Sequence, residues 1–147
     1  MAKTMMFDIQ NIVKVYDGDT LTVLLDRGFE DYSKRKVRVR GVNTPEIRTL
    51  RVAGVDTPDT KAQGKKVRDA VVAWLNDQAN LVLISYALED DKYGRVLGDI
   101  MAAPHGVLSS NTLSSFLLAN GLAKPYNGGT KAAWTEAELK VVDDFEL

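Results

Sequence analysis

The chain has 147 residues, 45% hydrophobic and 27% charged, which suits one soluble domain around one core. It contains no cysteine, which excludes disulfides and thiolate metal sites, and its single histidine, His105, sits in a Pro-His-Gly segment that reads as a surface turn. No apolar run approaches the ~20 residues that cross a bilayer, and the net charge of −1 argues against a wholesale polyanion binder.

The start, Met1 to Asp8, has one Lys and no long apolar stretch, so it is read as a short tail over residues 1–8 and not as a secretory signal. A cytoplasmic protein is expected, secreted only if a leader has been removed. Residues 9–16 and 20–25 are rich in β-branched side chains and predict two strands, joined at the tight-turn signal Asp17-Gly18-Asp19. Residues 35–42 alternate Val with Lys or Arg, as a half-buried strand does. Val37 and Val39 then face the core, and Lys36, Arg38 and Arg40 share the opposite face. Charge is unevenly placed along the chain: residues 34–68 hold eleven Lys or Arg against three Asp or Glu, and the remainder holds eight against seventeen. Such a segment can steer a phosphate to one face, or can simply be a solvated strand and helix.

Residues 43–60 contain two prolines and no clean period, so a long loop is expected. A helix follows over 61–78, with Thr60 and Gln63 at capping-box spacing and Val67, Val71, Trp74 and Leu75 on one apolar face. Residues 81–87 and 95–101 predict two more strands, joined by the polar hairpin 89–94. A helix over 110–120 buries Leu113, Phe116 and Leu117 and ends at Gly121, where a left-handed cap belongs. After the loop 124–130, an acidic helix or tail fills residues 136–147, with Thr135 and Glu138 at capping-box spacing. The expected fold is α+β and mainly β: a single domain over 1–147, built as a five-stranded OB-fold barrel with three helices.

Three clusters could carry chemistry. In Asp17-Gly18-Asp19-Thr20, two carboxylates in one tight turn suit a hard cation between them, although an ordinary Asp-Gly turn has the same letters. In Arg38 to Glu46, a strand arginine able to grip a phosphate leads into a Pro-stiffened turn offering Asn43, Thr44 and Glu46. In Asp91-Lys92-Tyr93-Gly94-Arg95, a cation, an aromatic ring and a guanidinium gather in one loop, which is otherwise a polar hairpin.

In this order the clusters, together with Asn120-Gly121-Leu122-Ala123-Lys124, resemble the staphylococcal nuclease (thermonuclease) family over roughly residues 12–135, with most likeness to its phage or bacterial branch. The resemblance implies a hydrolase: a Ca²⁺-dependent nuclease cutting phosphodiester bonds of DNA and RNA to leave 3′-phosphate ends. It implies Asp19 as the main carboxylate ligand of one Ca²⁺, with Asn43 standing where a second Asp is usual. Thr44 would complete the metal site through its carbonyl, and Asp17 would support it from behind. It further implies Glu46 as general base, Arg38 and Arg95 as the phosphate grip, and Lys92, Tyr93 and Tyr126 along the nucleotide. A second copy of the pattern follows at Arg51-Val52-Ala53-Gly54-Val55-Asp56-Thr57-Pro58-Asp59, and an alternative register would use Arg51, Asp56 and Asp59. The first copy is preferred because it keeps Glu at the base position and ends an alternating strand. DNA and RNA are the expected partners, with no membrane and a monomeric chain. Two rival readings stay open: a non-catalytic OB-type module that binds nucleic acid or protein, and a virion interaction protein with an inherited nuclease-like core.

Overall fold

A computed structural model describes residues 4–47, 51–52, 55–56, 60–90 and 94–147, except for the side chains of 51–52, 55–56 and 87–90. In chain order the elements are β1 (Met5–Asp17), β2 (Thr20–Asp26), β3 (Tyr32–Val39), β4 (Val42–Asn43), β5 (Arg51–Val52), β6 (Val55–Asp56), α1 (Lys61–Asn76), β7 (Leu81–Asp90), β8 (Val96–Ala102), α2 (Leu113–Ala119), β9 (Lys124–Pro125) and α3 (Glu136–Asp144). Five of the strands close a barrel in the order β1-β2-β3-β8-β7. Every pairing is antiparallel except β3 with β8, where Val37, Arg38 and Val39 run parallel beside Val96, Leu97 and Gly98. This is the expected five-stranded barrel with three helices, consistent with the OB-fold.

The period-2 pattern places the core. Leu21, Val23, Leu25, Val37, Val39, Leu83 and Ile100 point inward and are almost completely buried. Helix α1 covers the barrel with the predicted face of Val67, Val71, Trp74 and Leu75. Its Trp74 ring stacks 6.0 Å from Phe116 of α2, which meets Phe145 after α3 edge-on at 6.3 Å. The acidic C-terminal segment is therefore a docked helix, with Val142 fully buried and the Thr135–Glu138 capping box formed.

Several expectations change. The tail read over 1–8 is strand from Met5 onward, because Met5 to Asp8 pair with Ser85 to Val82 of β7. The strand read over 35–42 breaks at Arg40-Gly41, where Gly41 takes φ +84°, and Val42–Asn43 instead pairs with Lys124–Pro125. Helix α2 starts at Leu113, three residues later than predicted, since Met101 bridges Thr112 and the Thr112 hydroxyl accepts from Ser115 N. Thr60 does not cap α1; its hydroxyl donates to the Glu46 carbonyl at 2.7 Å. Within the loop read over 43–60, Arg51–Val52 pairs with Val55–Asp56.

Candidate active site

Asp19 lies where three segments meet. The β1–β2 turn packs so closely on α1 that a Cβ on Gly18 would lie 2.5 Å from Val67 Cγ1 and 3.0 Å from Thr44 Cγ2. Only a glycine allows this approach, and it presses the carboxylate of the next residue toward the 42–46 loop. One Asp19 oxygen accepts from the Thr20 hydroxyl at 3.0 Å; the other accepts from Thr44 N at 3.1 Å and lies 3.4 Å from Arg38 Nη2.

Arg38 is 6% exposed. A buried guanidinium is costly unless most of its donors are matched, and here Asp19, Val39 O (2.7 Å from Nη1) and Val42 O (2.8 Å from Nη2) take three of its five N–H groups. The break after Val39 makes this possible by turning both carbonyls toward the side chain. Tyr126 covers the group, its ring centroid 5.7 Å away and its backbone N donating to Gly41 O at 3.0 Å. The face assignment for β3 agrees with the burial of Val37 and Val39, but Arg38 is enclosed by this loop where Arg40 stays exposed.

Arg38 and Arg95 line one cleft of about 980 Å³, together with Arg40, Lys131, Tyr86, Tyr126 and Asp99. Asp19 and Glu46 pair with two of these four cations and Asp99 stands in the lining, which leaves a positive excess that favours an anion. Arg95 follows Gly94, which takes φ +77°, at the head of β8, two residues before Leu97, the parallel partner of Arg38. Glu46 reaches the cleft through Lys131, whose ammonium lies 2.9 Å from its carboxylate. Asp17 ends β1 opposite Thr20. Asn43 and Thr44 are buried, and Asn43 Oδ1 and Thr44 Oγ1 have no hydrogen-bond partner among the described residues.

Two orphaned oxygens on Thr44, whose backbone N binds the Asp19 carboxylate, and on its neighbour Asn43 suit a hard cation, which would satisfy atoms that are otherwise costly to bury. The set is poor in charge: among the described residues no group of three Asp, Glu, His or Cys is arranged to hold a metal. Lys92, Tyr93 and Asp59 lie outside the described residues, as do the side chains of Arg51 and Asp56.

Arg40, Lys131, Tyr86 and Asp99 were not anticipated as site residues. Arg40 shares a strand face with Arg38, which is a usable signal, and Asp99 is an acid inside an apolar strand, which is another. Burial raises the Asp99 pKa, opposed by hydrogen bonds from the Ser114 hydroxyl, Ser114 N and Ile100 N. Burial likewise raises the Tyr86 phenol, with Asp99 adding to the shift and Arg40, 4.9 Å from its ring, opposing it. Lys131 and Tyr86 carry no local signal.

The family model for staphylococcal nuclease homologues matches residues 36–144. The chain belongs to this family. No curated protein matches it. The matched region of this staphylococcal nuclease homologue contains Arg38, Asn43, Thr44, Glu46, Arg95 and Tyr126; Asp17 and Asp19 precede it and are tied to it by the Asp19–Arg38 contact. The barrel is thus a nuclease-family fold, and among the described residues no helix is long and apolar enough to cross a membrane.

Proposed function

We propose that the chain is a Ca²⁺-dependent phosphodiesterase that hydrolyses DNA and RNA and leaves 3′-phosphate ends. The observation that carries this reading is the meeting of Arg38 and Arg95, from strands far apart in sequence, on one anion-selecting cleft with Asp19 held against Arg38. Asp19, Asn43 and Thr44 would hold the cation, with Asp17 in support. When bound, the cation neutralises part of the charge that builds on the phosphate oxygens. Arg38 and Arg95 donate to those same oxygens and stabilise the transition state more than the ground state. Arg38 needs no reorganisation to do so, because its internal partners hold it in place. Glu46 takes the proton of the attacking water, and Lys131 fixes where its carboxylate points. Tyr126 lines the path of the nucleotide, and the family resemblance gives Lys92 and Tyr93 the same task.

The non-catalytic reading draws on one feature, the neutral Asn43 in the cation site. A cleavage assay decides between the two. Purified protein with millimolar Ca²⁺ is expected to cut single-stranded DNA and RNA, a chelator to stop it, and Arg95→Ala to slow it about 100- to 1,000-fold. The new ends should resist 5′-to-3′ extension until a 3′-phosphatase is added. Intact substrate with Ca²⁺, Mg²⁺ and Mn²⁺ alike would overturn the enzyme reading and leave a binding module.

A further inference from the structure

The outer face of the barrel carries lysines that the reaction above does not use. Val37 and Val39 point into the core, so Lys34 and Lys36 stand on the other side of β3 in line with Arg38, roughly 6.6–6.8 Å apart at each step, and Arg40 follows just past the strand's end. Arg38 and Arg40 line the cleft. Lys34 and Lys36 are exposed and extend the same row away from it. Across the sheet, Lys14 of β1 pairs with Thr22 of β2, and Thr22 pairs with Lys36, so the three lie side by side.

Tyr16 gathers this group. Its ring centroid lies 4.8 Å from Lys14 Nζ and 4.6 Å from Lys36 Nζ, and its phenol oxygen accepts from the Thr22 hydroxyl at 3.3 Å. Among the described residues no ion pair involves Lys14, Lys34 or Lys36. An aromatic ring attracts ammonium groups without cancelling their charge, so the row keeps its field for a polyanion outside. Lysines on an edge strand can serve to block sheet pairing, but these strands belong to a closed barrel.

We infer that Lys14 and Lys36, ordered by Tyr16, and Lys34 next along the same face of β3 form a track for the phosphodiester backbone of a single nucleic-acid strand that runs along β3 into the cleft. This rests on the nuclease reading for the identity of the polyanion. The track is continuous with Arg38 and Arg40 through one strand, and a charged groove that follows the backbone is how proteins hold single strands without reading sequence. Both ammonium groups lie against the Tyr16 ring, so the contact is to phosphate and not by base stacking. It gives preference for length and not for base identity.

The test compares the wild type with the combined variant Lys14→Ala, Lys34→Ala, Lys36→Ala and with Tyr16→Leu. A dinucleotide fills the cleft alone; a fluorescent oligothymidylate of roughly ten nucleotides reaches beyond it. Cleavage of the dinucleotide is expected to be unchanged in both variants. In chelator, anisotropy should show the triple variant binding the oligothymidylate at least ten-fold more weakly. Its slope of log K against log salt should be shallower by about 2, from three phosphate contacts at ~0.7 each. Tyr16→Leu should weaken binding less while leaving the salt slope nearly intact. Equal affinity and equal slope in wild type and triple variant would overturn the track even if both cut the dinucleotide. Failure of the wild type to cut the dinucleotide strikes the nuclease reading instead, and the binding comparison still judges the track.

Discussion

In the proposed cation site, Asn43 would decide how much charge is held. Its amide oxygen is buried without a partner among the described residues, and the Asp19 carboxylate is already shared between Thr20, Thr44 and Arg38. Affinity for Ca²⁺ rises with the count of charged ligands, so Asn43→Asp is expected to bind Ca²⁺ about ten-fold more tightly or better, read from the Ca²⁺ dependence of Tm. In chelator the same variant should melt below the wild type, since the new carboxylate would stand beside Asp19 with no cation between them. Equal Ca²⁺ affinity in the two proteins would remove Asn43 from the site. Arg38 shows what residue-level reading captures and what it omits. Its strand face was legible from the Val alternation. Its second task, tying two carbonyls and a carboxylate together inside the protein, depends on the end of the strand at Arg40-Gly41, which a Val-Arg repeat does not announce.

Helix α1 does more than cover the core; it sets the loop that carries Glu46. Thr60 donates to the Glu46 carbonyl, and a Cβ at Gly64 would stand 2.8 Å from Pro45 O and 3.0 Å from Glu46 C. In an exposed helix, Gly→Ala gains about 1 kcal/mol from propensity. Here the atoms met are backbone, and overpacking of that kind costs about 1–3 kcal/mol. Gly64→Ala is therefore expected to lower the urea midpoint and to slow cleavage by displacing Glu46; a variant that is stabilised and fully active would show that the loop yields freely. The apolar face of α1, the five barrel strands and the α3 cap were legible because period and capping chemistry are local. The role of Thr60 was not, because its partner is Glu46, fourteen residues earlier, and the capping-box spacing offered a cheaper local use for the same hydroxyl. Lys131 escaped notice for the same reason: its partner is Glu46, eighty-five residues away.

At the scale of the whole molecule, stability should carry the mark of Asp99. Burial raises its folded pKa above the ordinary 3.8, so the folded state holds that proton more tightly than the unfolded chain does. Its favourable contribution is complete below the unfolded pKa and is lost as pH rises from there through the folded value. Against Asp99→Asn, which cannot titrate, wild-type Tm should fall steadily over that window; parallel Tm curves from pH 3 to 7 would dismiss the effect. The acid in an apolar strand was visible in the letters, but not that Ser114 and the cleft would surround it. The parallel seam between β3 and β8 bears on how the protein comes into being. Arg38 and Arg95 sit on opposite sides of that seam, whose partners, such as Val37 and Val96, lie on distant parts of the chain. On the proposed function, turnover during refolding could begin only once this seam has zipped shut, so the first cleaved substrate would mark the moment the ring is sealed.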